Sequence, residues 1–260
     1  MKHRIVTAAQ MKEIERAGDV HGLPYLQMME NAGLAAYAEL QKQFPHSGRL
    51  LVVCGKGNNG GDGFVIARAA AKDGWSVTFL LAEGEPKTVD AIRNFERLHS
   101  LPVHICADGS VLEPPCFDAA VDALYGTGFH GELRPSGLAA CGLIRRLHKG
   151  GAFVLAVDLP SGINTDTGEV AEGAAHADLT VTFDSYKLLR RSAERSSAPT
   201  LASGTNGTRN FDESLPLRSR IKTSSVRFFF IITVSCFLPT EKRLHAKTGS
   251  CKRLTTSRSP

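Results

Sequence analysis

Residues 54–63 read C-G-K-G-N-N-G-G-D-G, directly after the apolar run Leu50-Leu51-Val52-Val53. An apolar strand that enters a glycine-rich turn and then a helix is a unit of a parallel α/β sheet. The glycines leave backbone bare enough to approach a phosphate. The helix start adds free N–H donors at the positive end of its dipole. Gly55-x-Gly57-x-x-Gly60 matches the dinucleotide fingerprint, but alone this is a weak match. The acid that the fingerprint needs after the next strand would be Glu83 or Glu85, and neither is well placed. A Walker loop is excluded because no Gly-Lys-Ser/Thr follows. Asn58, Asn59 and Asp62 are left over. In a glycine nest, amide oxygens and a carboxylate can hold a hard cation or the hydroxyls of a ligand. In the plainer reading, Asp62 caps a helix over 62–72 and the asparagines shape the turn.

The same rhythm extends on both sides. Thr7-Ala8-Ala9-Gln10 fits a capping box ahead of a helical stripe at Met11, Ile14, Ala17 and Gly18, and a second helix follows Pro24. Strands are expected at 50–54, 75–81, 102–106, 118–124, 152–157 and 178–183, with helices at 62–72, 87–99 and 136–148. Strands that are apolar throughout belong to a sheet covered on both faces. The expected fold is a three-layer α-β-α domain with a mostly parallel, Rossmann-like sheet.

The rhythm stops at Leu188. The 73 residues from there on carry 14 Lys+Arg against 4 Asp+Glu, whereas residues 1–187 carry 17 against 22. A net charge of +5 therefore hides an acidic body and a strongly basic, Ser/Thr-rich tail. A basic arm for nucleic acid or acidic lipid is one reading of the tail. The reading taken here is a disordered or out-of-frame end without nucleic-acid function. Its one apolar run, 228–234, is too short for the roughly 20 residues that span a bilayer, and it is an aggregation hazard. The six cysteines (54, 106, 116, 141, 236 and 251) form no CxxC pair and no zinc spacing, and the N-terminus has no signal-peptide stretch. A soluble cytoplasmic protein is expected, with no membrane association.

In a parallel sheet, ligands bind beyond the carboxyl ends of the strands. Three further strands deliver polar groups there. One carries Asp122 and leads into Gly126-Thr127-Gly128-Phe129-His130-Gly131-Glu132. Another ends in Asp158-Leu159-Pro160-Ser161-Gly162, and the last ends at Phe183 with Lys187 four residues on. An unpartnered Asp122 inside an apolar strand would be costly, and a cation beside it would resolve that cost.

Together these segments identify a resemblance. Residues 1–187 resemble the NAD(P)H-hydrate epimerase family, the YjeF N-terminal domain. The motifs are L-Q-M-M-E-N-A-G (26–33), G-N-N-G-G-D-G (57–63), V-D-A-L-Y-G-T-G (121–128), V-D-L-P-S-G-I-N-T-D-T-G (157–168) and A-D-L-T-V-T-F (177–183). The resemblance implies epimerisation of the R and S forms of hydrated NADH and NADPH. A separate ATP- or ADP-dependent dehydratase then consumes the S form. It also implies that Asn58, Asn59, Gly60, Gly61 and Asp62 line the phosphate and ribose of the hydrate. Gly126 to Glu132 would form a second binding loop and Asp158 would face the ligand. Asn59, Asp122 and Ser161 match positions that hold a potassium ion, and all three offer the oxygen atoms that such an ion takes. A homodimer is implied as well.

Moving the hydroxyl of a hydrated ring between faces needs proton transfer and reversible C–O cleavage. Asp158 is the expected acid–base residue, with Lys187 as a second group. His130 reads as a surface histidine, and Glu30-Asn31 as packing at the mouth of the site. After Lys187 the family pattern is lost, which exposes a sheet edge. No second, kinase-like domain is visible, so no dehydratase activity is expected of this chain. Two other readings stay open: a non-catalytic ligand-binding or dimerisation module of the same fold, and an NAD(P)-dependent oxidoreductase.

Overall fold

The computed structural model describes residues 6–109, 117–183 and 230–234. Twelve elements follow in chain order: α1 Ala8–Val20, α2 Tyr25–Gln41, β1 Arg49–Cys54, α3 Asn58–Lys72, β2 Ser76–Leu81, α4 Val89–Glu96, β3 Val103–Cys106, β4 Ala119–Ala123, α5 Pro135–Lys149, β5 Phe153–Val157, β6 Leu179–Phe183 and β7 Phe230–Val234. The strands form one sheet in the order β3-β2-β1-β4-β5-β6-β7, and every pairing is parallel. The expected α/β architecture is the observed one. The chain reverses direction across the sheet between β1 and β4, which opens a crevice at their carboxyl ends.

Alternation along the strands divides the core. Leu50, Val52 and Cys54 of β1 join Val121 of β4 and Leu155 of β5 against α2 and α3, with Ala36, Leu40, Phe64 and Ala67. Leu51 and Val53 join Ala120, Val154 and Ala156 against α5, with Cys141, Leu143, Ile144 and Leu147. Burial on both faces is why these strands read as unbroken apolar runs rather than as an alternation. Asp122 lies two residues after Ala120, so it shares the α5 side of the sheet.

The capping box is present: the Thr7 hydroxyl accepts from the Gln10 N–H, and the Gln10 side chain accepts from the Thr7 N–H. Three expectations need correction. Helix α3 begins at Asn58, four residues earlier than the sequence suggested, and its N-cap is Gly57. Asp62 is therefore inside the helix and does not cap it. Helix α4 covers only Val89–Glu96 of the expected 87–99. The basic tail also contains one element. β7 pairs with β6 from Leu179↔Phe230 to Phe183↔Val234, so it lies along the edge that the loss of the family pattern was expected to expose. A short run of aromatic and β-branched residues suits such an edge. The rest of the tail, and Lys187 just before it, lie outside the described residues.

Among the described residues no helix is long and apolar enough to cross a membrane. Glu30 and Asn31 are both bonded within the helical layer. The Arg68 guanidinium bonds both Glu30 oxygens and Arg97 stands 3.6 Å away, so Glu30 ties α2 to α3 and to the end of α4. Asn31 is buried and accepts from the Gln27 amide.

Candidate functional site

The glycine turn lies tight against the end of β4. A Cβ on Gly55 would stand 2.1 Å from the Leu124 carbonyl oxygen, and one on Gly60 would stand 1.9 Å from the Gly55 oxygen. Only bare backbone lets α3 start this close to the crevice. The first residues of α3 are Asn58, Asn59, Gly60 and Gly61, so its free N–H groups face the carboxyl ends of β1 and β4. Asn59 Nδ2 is buried with no hydrogen-bond partner among the described residues. An orphaned buried amide of this kind marks a ligand or ion position.

Asp122 is fully buried in β4. Its Oδ2 accepts from the Ser161 N–H at 2.8 Å, and its Oδ1 accepts from the Ser161 hydroxyl at 2.5 Å and the Leu124 N–H at 3.3 Å. The same hydroxyl accepts from the Tyr125 N–H at 2.9 Å. Asp122 and Ser161 were expected together as cation ligands; they are joined directly, and both grip the segment that follows β4. Asn59 reaches that segment from the other side, because a Cβ on Gly126 would lie 3.0 Å from Asn59 Oδ1. The three expected metal residues thus meet around 124–126.

Burial pushes the Asp122 carboxyl up to about 6, against the opposing pull of its bonds from Ser161 and Leu124. Between roughly pH 4 and 6 the folded chain keeps a proton there that the unfolded chain has already released. Stability from this group is therefore lost as pH rises through that window. The nearby Cys141 thiol, raised to about 12 by burial and then by Asp122, stays protonated throughout. Asp122→Asn is expected to remove the pH dependence that this group contributes. In a buffer whose only cation is a tetraalkylammonium, urea unfolding should show the variant gaining on the wild type by on the order of 2 kcal/mol between pH 4.5 and 7.5. A constant difference across that range would mean that Asp122 does not titrate there.

Asp158 follows β5 and is the only non-glycine residue with positive φ among those described, at 67°. Its N–H donates to the Val181 carbonyl at 2.8 Å, which fixes the turn to β6. Aspartate tolerates this left-handed conformation better than most residues, though at a cost of about 1 kcal/mol. The turn aims the carboxylate back over the crevice. Its Oδ2 accepts from the Thr127 N–H at 3.1 Å and its Oδ1 from the Thr182 hydroxyl at 3.3 Å. A Cβ on Gly126 would meet this Oδ2 at 3.1 Å, so Asn59 and Asp158 flank one bare backbone position.

The loop after β4 divides. Phe129 is buried and stacks on Tyr125 with ring centroids 5.3 Å apart, whereas Gly128, His130, Gly131 and Glu132 are exposed. His130 is a surface residue, as expected. Two concavities of about 300 and 400 Å³ elsewhere on the molecule are lined by none of these residues. What distinguishes the crevice is its converging polar atoms.

Glu83 was set aside in the sequence as a badly placed ribose acid, yet it belongs here. It stands two residues past β2, and its side chain is only 7% exposed. Its oxygens are occupied by the Tyr125 hydroxyl at 2.8 Å and the Lys56 ammonium at 3.7 Å. A ribose could reach Glu83 only by displacing them. Thr182, the Asp158 partner, was also missed; nothing in a run such as L-T-V-T-F distinguishes a site threonine from a strand threonine.

A parallel α/β domain with an oxygen-lined crevice at its topological switch point is the class that fold and site define. The family described as YjeF-related protein N-terminus matches residues 25–189, and the chain belongs to it. An NAD(P)H-hydrate epimerase of Limosilactobacillus fermentum is 36% identical over 196 residues, which cover 72% of this chain and 88% of that one. Bifunctional NAD(P)H-hydrate repair enzymes Nnr of Methanothermobacter thermautotrophicus and Coxiella burnetii are each 39% identical, over 64% and 67% of this chain. The chain spans only 33% and 35% of those two relatives. The crystal structure of yeast ynu0 superposes with a TM-score of 0.61 at 25% identity, covering 71% of this chain and 82% of that one.

Proposed function

We propose that this chain epimerises the R and S forms of hydrated NADH and NADPH. The observation that carries the reading is Asp158, a carboxylate held at positive φ over the bare Gly126 position and pinned by Thr127 and Thr182. A rigid turn that spends conformational energy to aim one acid at a crevice is what proton transfer at a bound ring requires. Asp158 takes the acid–base role. The glycine turn and the N-terminus of α3 receive the phosphates, and the loop 126–132 covers the ligand. Lys187, outside the described residues, is retained as a second acid–base group on the strength of the family resemblance alone.

Asn59, Asp122 and Ser161 suit a potassium ion. They offer only oxygen ligands, one of the three is a buried carboxylate whose charge burial disfavours, and the orphaned Asn59 amide can turn its oxygen inward. A bound potassium ion would neutralise Asp122 and hold three strand ends in register. The S epimer passes to an ATP- or ADP-dependent dehydratase. Cys54, Cys106 and Cys141 are free and buried, in keeping with a reducing cytoplasm. The occupied carboxylate of Glu83 speaks against an oxidoreductase that binds dinucleotide through a ribose acid.

The direct test supplies R-hydrate with excess S-specific dehydratase and follows NADH formation, in potassium and in tetraalkylammonium buffer. Potassium-dependent turnover is the expected result. Soluble, folded chain without turnover in either buffer would make it a non-catalytic module.

A further inference from the structure

Tyr125 is held at four points, three on its ring and one on its backbone. Its hydroxyl donates to Glu83 Oε1, beyond β2. One face stacks on Phe129 of the substrate loop, with an interplanar angle of 30°. Its backbone N–H bonds the Ser161 hydroxyl, which in turn bonds Asp122. Its hydroxyl end fits against Gly137 in the first turn of α5, where a Cβ would come 2.4 Å from the phenol oxygen. Glu83 then reaches Lys56 of the glycine turn, and the Lys56 carbonyl accepts from the Lys87 N–H at 2.8 Å.

A buried carboxylate is costly unless it is partnered, and Glu83 accepts a hydrogen bond from Tyr125 on one wall of the crevice and is ion-paired with Lys56 on the other. Lys56 belongs to the wall that receives phosphates, and Tyr125 belongs to the wall that opens the 126–132 loop. Phe129 is fixed only one turn of loop further on, by its N–H to the Gly126 carbonyl and by the Tyr125 ring. We infer that Glu83 and Tyr125 form a brace that positions the substrate loop against the glycine turn, and that both are positioning residues for the reaction proposed above. The brace touches neither reacting atom. It sets the width of the crevice, so it acts on ligand binding and leaves proton transfer to Asp158.

The inference rests on the epimerase reading, and its test separates the two. Tyr125→Phe keeps the ring and the stack but removes the donor to Glu83; Glu83→Ala removes the acceptor; Glu83→Gln keeps an acceptor for the phenol. Tyr125→Phe and Glu83→Ala are each expected to raise KM for R-hydrate about tenfold with kcat changed by less than about threefold, the signature of lost uniform binding. The double variant should be no worse than either single one, since both cut the same link. Glu83→Gln should restore most of the KM. Hydrogen exchange of the 126–132 amides in the unliganded full chain should be faster in Tyr125→Phe and Glu83→Ala than in wild type or Glu83→Gln.

Unchanged exchange in both disruptive variants overturns the brace, whatever the chain catalyses. Faster exchange with unchanged KM in an active chain overturns its link to substrate binding. A fall in kcat with KM constant would point to general destabilisation and also overturns it. If wild type shows no turnover, the epimerase reading fails, and the exchange measurement alone decides whether the loop is braced.

Discussion

Asp158→Asn is expected to lower the epimerisation rate by roughly 10²–10⁴-fold, the usual worth of a positioned acid–base group, while the fold survives. Asparagine is the informative replacement because it also tolerates positive φ, so the turn at 67° need not relax. Its side-chain oxygen can still accept from the Thr127 N–H, which keeps the 126–132 loop anchored. The ability to exchange a proton is lost. Asp158→Ala would mix that loss with backbone strain and with two orphaned donors, and its result would be harder to read. The checks are the coupled assay for rate and thermal unfolding for integrity. If Asp158→Asn keeps the wild-type rate, Asp158 is only a turn residue that holds Thr127 and Thr182, and the proton must move through another group.

The parts of this molecule that were legible in the sequence are those whose cause is local. Strands buried on both faces announce themselves as apolar runs, so β1, β4 and β5 were placed within about a residue of their true ends. A charged residue inside such a run is equally visible, which is why Asp122 stood out. Among the described residues its protein partner is Ser161, through both backbone and hydroxyl. That bond joins residues 39 apart in the chain, and no local pattern announces it. The start of α3 was misjudged for a related reason. Glycine is a poor helix former, so Gly60, Gly61 and Gly63 argue locally for a loop. Packing overrules them: Gly63 lies under Cys54 and Ala123, and Gly61 under the Met29 thioether, so a side chain at either would force a neighbour to shift. Glu83 failed for distance too, since its partner Tyr125 is 42 residues away and Lys56 is in a different turn.

The glycine turn offers a sharper test, because two of its residues look alike in sequence and are opposite in structure. Gly60→Ala is expected to cost about 2–4 kcal/mol, since its Cβ would stand 1.9 Å from a backbone oxygen that cannot move without shifting the Gly55 turn. For a chain of this size that lowers the melting temperature by roughly 5–15 °C. Gly57→Ala meets nothing within 4 Å, and Gly57 has an ordinary extended φ of −96°. It should still fold, at a cost of about 0.5–1 kcal/mol, because glycine ranks above alanine at an N-cap and the added methyl group meets no neighbour. The free space around Gly57 has a second consequence. A methyl group there projects into the volume that the proposed reading assigns to the phosphates, so Gly57→Ala should keep most of its stability and still bind the hydrate more weakly. Urea unfolding and KM, measured on both variants, separate the two effects. A stable Gly60→Ala would contradict the packing of α3 on the turn. A Gly57→Ala chain with wild-type KM would move the phosphates elsewhere in the crevice, and the bare backbone at 55–61 would then serve only to seat the helix.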